Sequence, residues 1–152
     1  MQCQGKRRQR GFSLIEVLFA IFLASLSAMI LAASMPVANN SRARADLQNK
    51  ATGLAQKQLE AIRGLGYPNA TASQLYSRGL IDSSTPVSTD TYSFSNVDLA
   101  QLDNPANVLP SGTGTVTVSQ VDLDLRSVVV TVRWVDRGTN KLIKVGTLIA
   151  NL

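Results

Sequence analysis

An uncharged run from Val17 to Ser41, with one carboxylate and a basic patch just before it, constrains this chain more than any other feature. The order is Lys6-Arg7-Arg8-Gln9-Arg10-Gly11, then Phe12-Ser13-Leu14-Ile15-Glu16-Val17-Leu18, then mostly apolar residues to Met35. Phe12 to Met35 is 24 residues. As a helix they span roughly 36 Å at about 1.5 Å per residue, enough to cross a hydrocarbon core of about 30 Å. Leu, Ile, Phe, Ala, Val and Met dominate, and Ser25, Ser27 and Ser34 can hydrogen-bond back to the helix backbone. Four cations lie in the first ten residues and no acid precedes Glu16. The positive-inside rule then places the N-terminus in the cytoplasm and the rest of the chain outside.

Glu16 is the odd residue in this segment. A carboxylate at mid-membrane costs roughly 2.5–3.5 kcal/mol on insertion scales, and less near the interface. Its presence implies a partner. The positive end of its own helix dipole offers about 0.3–1 kcal/mol. A protonated amine about 4 Å away, at an effective dielectric near 20, offers about 4 kcal/mol of attraction before desolvation. A secretory signal cut at Ala32-Ala33-Ser34 is a competing reading of the same segment. The length of the apolar run and the acid inside it argue against that reading.

Gly11-Phe12-Ser13-Leu14-Ile15-Glu16-Val17-Leu18 resembles the class III signal of type IV prepilins and pseudopilins: Gly, then Phe, a few small or apolar residues, Glu at the fifth mature position, and a long apolar helix. The resemblance covers about the first 30 residues. It implies that a prepilin peptidase cuts between Gly11 and Phe12 on the cytoplasmic side and methylates the new Phe12 amine. It also implies that the apolar helix is retained and that Glu16 faces a neighbouring subunit's Phe12 amine, setting the axial stagger. The physical terms agree. Gly11 lets an extended backbone enter a protease cleft closely. An α-amine, with a reference pKa of about 8, is largely protonated at neutral pH.

Composition is read differently once a leader is set aside. The chain has 152 residues and a formal charge of +5. The leader, residues 1–11, carries four of the 15 basic residues and none of the ten acidic ones, so 11 cations face ten acids in the remainder. The high isoelectric point therefore reflects targeting and is a weak argument for nucleic acid. The only cysteine, Cys3, is also in the leader, so the rest of the chain can form no disulfide. Many major pilins have a C-terminal disulfide loop, and this sequence departs from that pattern.

Beyond the apolar run, Pro36 ends or kinks the helix because it cannot donate to Ala32, and Asn39-Asn40-Ser41 adds a weak point. Leu47, Ala51, Leu54, Ala55, Leu59, Ile62 and Leu65 then recur at helical spacing. Gly64-Leu65-Gly66-Tyr67-Pro68 is a stop signal. One long helix over 12–66 is expected, S-shaped or kinked at Pro36, with 12–36 in the membrane or a filament core. Residues 67–152 form a single small outer domain. Within it the pattern predicts a short helix near Thr71–Gly79, a strand at Thr91–Ser95 and loop over 96–114. Strands are expected at Thr115–Val121, Arg126–Val135 and Lys141–Ala150, the last two joined by a hairpin through 136–140. Val128, Val130, Val132 and Trp134 share one face, as do Ile143, Val145, Thr147 and Ile149. The fold class is α+β, a long helix packed on a small antiparallel sheet, which is also the architecture of pilins.

Chemistry for catalysis is missing. The chain has no histidine and no phosphate loop, and its serines and aspartates have no base beside them, so no enzyme and no cofactor is expected. Asp98, Asp103, Asp122 and Asp124 are read as solvated turn acids, because their spacing matches no calcium loop. Asn39-Asn40-Ser41 and Asn69-Ala70-Thr71 fit the glycosylation sequon, a pattern that chance also supplies. The expected role is a structural subunit of a pilus or a type II secretion-like filament. Its implied partners are prepilin peptidase, other pilin or pseudopilin subunits, the inner-membrane assembly platform and the lipid bilayer. Val132-Arg133-Trp134-Val135-Asp136 and Leu54-Ala55-Gln56-Lys57-Gln58-Leu59-Glu60 are similar to minor pilins or minor pseudopilins of the tip type. Two other readings stay open. One is a tip module that captures a surface or nucleic acid through Arg126, Arg133, Arg137, Lys141 and Lys144. The other is a plain signal-anchored protein.

Overall fold

The computed structural model describes residues 13–97 and 103–151. The leader with Cys3 and Gly11, and also Phe12 and Asp98, lie outside the described residues. The chain divides into two compact units, Met1–Arg42 and Ala43–Leu152.

The first described element is α1, Leu14–Gly64. It opens where the Ser13 carbonyl accepts from the Glu16 and Val17 amides. Helix runs through Pro36 and through Asn39-Asn40-Ser41 without interruption in the secondary structure. Proline at that position leaves the Ala32 carbonyl without its usual donor. The hydroxyls of Ser25, Ser27, Ser34 and Ser41 fold back onto the carbonyls of Ile21, Leu23, Leu31 and Val37. They therefore place no unsatisfied donor on an apolar helix.

In the second unit, α1 buries Ala51, Leu54, Ala55, Gln58 and Ile62, a stripe at three- and four-residue spacing. The helix ends at Gly64, where the Leu65 amide donates to Ile62 and Gly66 takes φ +72°, a left-handed conformation that glycine adopts at no steric cost. Two short helices follow, α2 (Gly66–Asn69) and α3 (Ala72–Ser77). The expected helix near Thr71–Gly79 is α3.

Four strands make one antiparallel sheet in sequence order: β1 (Thr91–Ser93), β2 (Thr113–Asp122), β3 (Leu125–Asp136) and β4 (Thr139–Ala150). The α+β expectation holds: the second half of the long helix shares one core with this sheet. Val128 pairs with Val118 and Thr147, Val130 with Val116 and Val145, and Val132 with Gly114 and Ile143. Val116, Val128, Val130, Val132, Trp134 and Ile149 are buried with the helix stripe. Each fully buried aliphatic side chain contributes about 1.5–3 kcal/mol, and this face shares the core with Leu75, Leu80, Ile81, Phe94 and Leu109. Trp134 is buried here, as its phase required.

Three details correct the sequence reading. The span 96–114 is not all loop: α4 (Pro105–Val108) lies in it, capped by the Asn104 side chain, which accepts from the Ala106 amide at 2.8 Å. Asn followed by Pro is an N-cap and first-turn signal that the surrounding prolines and glycines had masked. β2 begins two residues earlier than expected, at Thr113, because Gly114 is a strand residue whose missing side chain seats Phe94. A Cβ there would lie 2.5–2.7 Å from the Phe94 ring. The β3–β4 turn is only Arg137-Gly138, both at positive φ, the geometry that matches strand twist in a two-residue hairpin.

Candidate functional site

In the first unit, every described residue from Ser13 to Arg42 is exposed. The helix is long and apolar enough to cross a membrane, and the most apolar stretch buries nothing within the chain. Leu14, Ile15, Leu18, Phe19, Phe22, Met29, Ile30 and Leu31 all stand free. Such a surface is stable only in lipid or against other apolar helices.

Glu16 sits in the first turn of α1. With Val17, Ala20, Ile21 and Ala24 it lines a shallow hollow of about 470 Å³. The alanines follow Glu16 at one and two turns, so their short side chains leave the hollow open. The serine hydroxyls nearby are spent on backbone carbonyls. Among the described residues the Glu16 carboxylate accepts no hydrogen bond and makes no ion pair. An unpaired acid beside a hollow on an apolar helix can receive a cation brought from elsewhere, and it can do little other chemistry. The expected pairing with Phe12 and cleavage after Gly11 concern atoms outside the described residues.

The other candidates separate. Pro36 lies inside α1. Asp103 pairs with Lys57 at 3.0 Å, while Asp122 ends β2 and Asp124 lies in the β2–β3 turn. No group of three or more potential metal ligands occurs among the described residues. Asn39-Asn40-Ser41 is helical, and the Asn69 amide donates to the Leu65 carbonyl at 3.1 Å. The five cations proposed for nucleic acid do not form one cluster: Arg137 and Lys141 meet at the β3–β4 hairpin, and Arg126 lies at the other end of the sheet. Arg126 donates to the Tyr67 and Ala70 carbonyls at 2.8 and 3.0 Å and lies 4.4 Å over the Tyr67 ring. Its job is to fasten α2 to the sheet. Arg126 in β3 and Lys141 in β4 share the phase of the helix-facing residues, at opposite ends of the sheet, whereas Arg133 and Lys144 point to the other face.

Sequence reasoning missed two features of the second unit. The first is a cleft of about 410 Å³ at the β3–β4 hairpin, lined by Arg44, Gln48, Trp134, Asp136, Arg137, Lys141 and Leu142 among others. Arg44 from α1 meets Asp136 from β3 at 3.4 Å, and the Asp136 side chain is only 12% exposed. No sequence pattern joins residues so far apart. The second is the β2–β3 turn. There Leu123 is 83% exposed, the most exposed large apolar residue among the described residues, and Val121 beside it is exposed as well. Asp122 and Asp124 flank Leu123.

Residues 6–32 match the prokaryotic N-terminal methylation motif. No curated protein and no solved structure matches the chain significantly. The motif supports a type IV pilin-like class III signal with processing of the prepilin type, and it points to a structural protein rather than an enzyme. Together with the exposed apolar helix it supports a membrane-anchored pilin.

Proposed function

We propose that this chain is a filament subunit of a type IV pilus or a type II secretion-like pseudopilus, and that its work is assembly. The observation that carries the reading is Glu16: an acid inside the methylation motif that has no partner among the described residues, on a helix whose apolar stretch is exposed. Prepilin peptidase removes residues 1–11 at the cytoplasmic face of the inner membrane and methylates Phe12. The helix holds the subunit in the bilayer while the sheet domain folds outside. An assembly platform then transfers the helix from lipid into a bundle of like helices. Apolar surface stays covered throughout, so the transfer costs little hydrophobic free energy. In the bundle, Glu16 of one subunit meets the Phe12 amine of another, and the strength of a charge pair in a low dielectric fixes their axial offset. Pro36, with one carbonyl of α1 left unmatched, is the point where the helix unwinds in packing.

The mass of the native protein tests the first step. The mature chain should start at a methylated Phe12, and Gly11→Arg should leave a full-length, unmethylated chain in the membrane. A native chain that begins at Met1, or beyond Ser34, would falsify the proposal. The role of Pro36 is checked separately. Pro36→Ala should stiffen the fibre under load, and an unchanged extension removes this element alone.

A further inference from the structure

The two features at the ends of the sheet complement each other, and we infer that they dock between copies of this chain, the β2–β3 turn of one subunit entering the β3–β4 cleft of the next. This contact rests on the filament reading and adds a second interface to it, made by the sheet domains.

The turn is built to be presented. Leu123 projects into solvent between two carboxylates, yet its backbone is held on every side. The Tyr67 hydroxyl donates to the Leu123 carbonyl at 2.5 Å, and the Leu123 amide donates to Asp122 Oδ1 at 2.7 Å. The Asn151 amide and side chain donate to the carbonyl and the carboxylate of Asp124 at 2.9 and 3.0 Å. A turn clamped this way loses little conformational freedom when it binds. An exposed leucine on a loose loop needs no explanation; one on a fixed loop presents a defined shape.

The cleft has the opposite character. Arg44, Arg137 and Lys141 line it, with Asp136 as its one acid, and Trp134 and Ile143, in the same phase of the sheet, give it apolar surface. Asp136 holds the Arg44 guanidinium in place and is itself nearly covered. Three cations against one anion beside apolar surface suit an apolar side chain flanked by acids. The exposed part of the interface steers and registers the contact, and the leucine supplies the buried area.

Placement gives the contact its consequence. The turn precedes β3 and the cleft follows it. They are therefore separated by the length of that 12-residue strand, about 36 Å at about 3.3 Å per residue. A knob at one end and its socket at the other make a heterologous, head-to-tail contact, the kind that propagates as an open helical array instead of closing on a dimer.

The test uses the full-length chain in cells that assemble it, with a photo-reactive benzophenone residue in place of Leu123. Irradiation should give an adduct of two mature subunits, with the cross-link mapped to residues 134–142 of the second copy. Lys141→Glu should lower its yield about fivefold, and adding Asp124→Lys should restore it by reversing both charges. An adduct with a different protein, an adduct elsewhere on the second copy, or no adduct at all overturns the docking. The sheared fibre fraction, measured in the same cells, separates the two ideas. Glu16-dependent fibres without the mapped adduct sink the docking and leave the filament reading standing. Absence of the chain from fibres sinks both.

Discussion

Residues 14–42 and 43–64 are turns of one helix, yet they solve the problem of apolar surface in different ways. The second stretch buries Ala51, Leu54, Ala55, Gln58 and Ile62 against its own sheet and leaves its other sides to Arg44, Lys50, Lys57 and Arg63. The first is apolar on all sides and buries nothing within the chain. A helix that is hydrophobic all round must find its environment outside the domain. The sequence of the second stretch was therefore shaped by this fold, and that of the first by something the single chain does not contain.

The contrast can be broken most severely at Glu16. Glu16→Val removes the one acid of the uncovered stretch while raising its hydrophobicity. Membrane insertion and leader removal should persist, and incorporation into sheared fibres should fall at least about tenfold if an ion pair of even half the expected strength is lost. Normal fibre yield would show that the acid has no partner in another subunit. The next test sets two isoleucines of α1 against each other. Ile62 is fully buried, so Ile62→Ala should destabilise the sheet domain by about 2–5 kcal/mol. Trp134, the chain's single tryptophan and buried in the same core, reports this unfolding by fluorescence in detergent-solubilised protein. Ile30 is exposed, and Ile30→Ala should move the same midpoint by no more than about 0.5 kcal/mol. A comparable loss at both sites would mean that the two stretches are not energetically distinct.

How much could be read in the sequence follows from the same division. The uncovered stretch is governed by local rules of charge order, apolar length and a motif on consecutive residues, so the segment that matches the methylation motif could be read directly. The strands were legible because one face is buried and the other solvated, which writes itself as alternation in residues 126–135 and 141–150. Gln58 was not legible. It occupies a core position of the helical stripe but is polar, and only the carbonyl of Leu80, which its Nε2 meets at 2.5 Å, makes it acceptable there. The Arg44–Asp136 pair and the Tyr67–Leu123 bond were hidden for a related reason: both join distant segments through geometry with no periodic signature.

The helix that carries the uncovered apolar stretch also supplies Ala51, Leu54, Ala55, Gln58 and Ile62 to the core of the sheet domain. A protease that cuts beyond Ala51 removes a wall of the core along with the tether. The molecule can be detached from its anchor and keep its shape only where the cut falls ahead of that buried stripe.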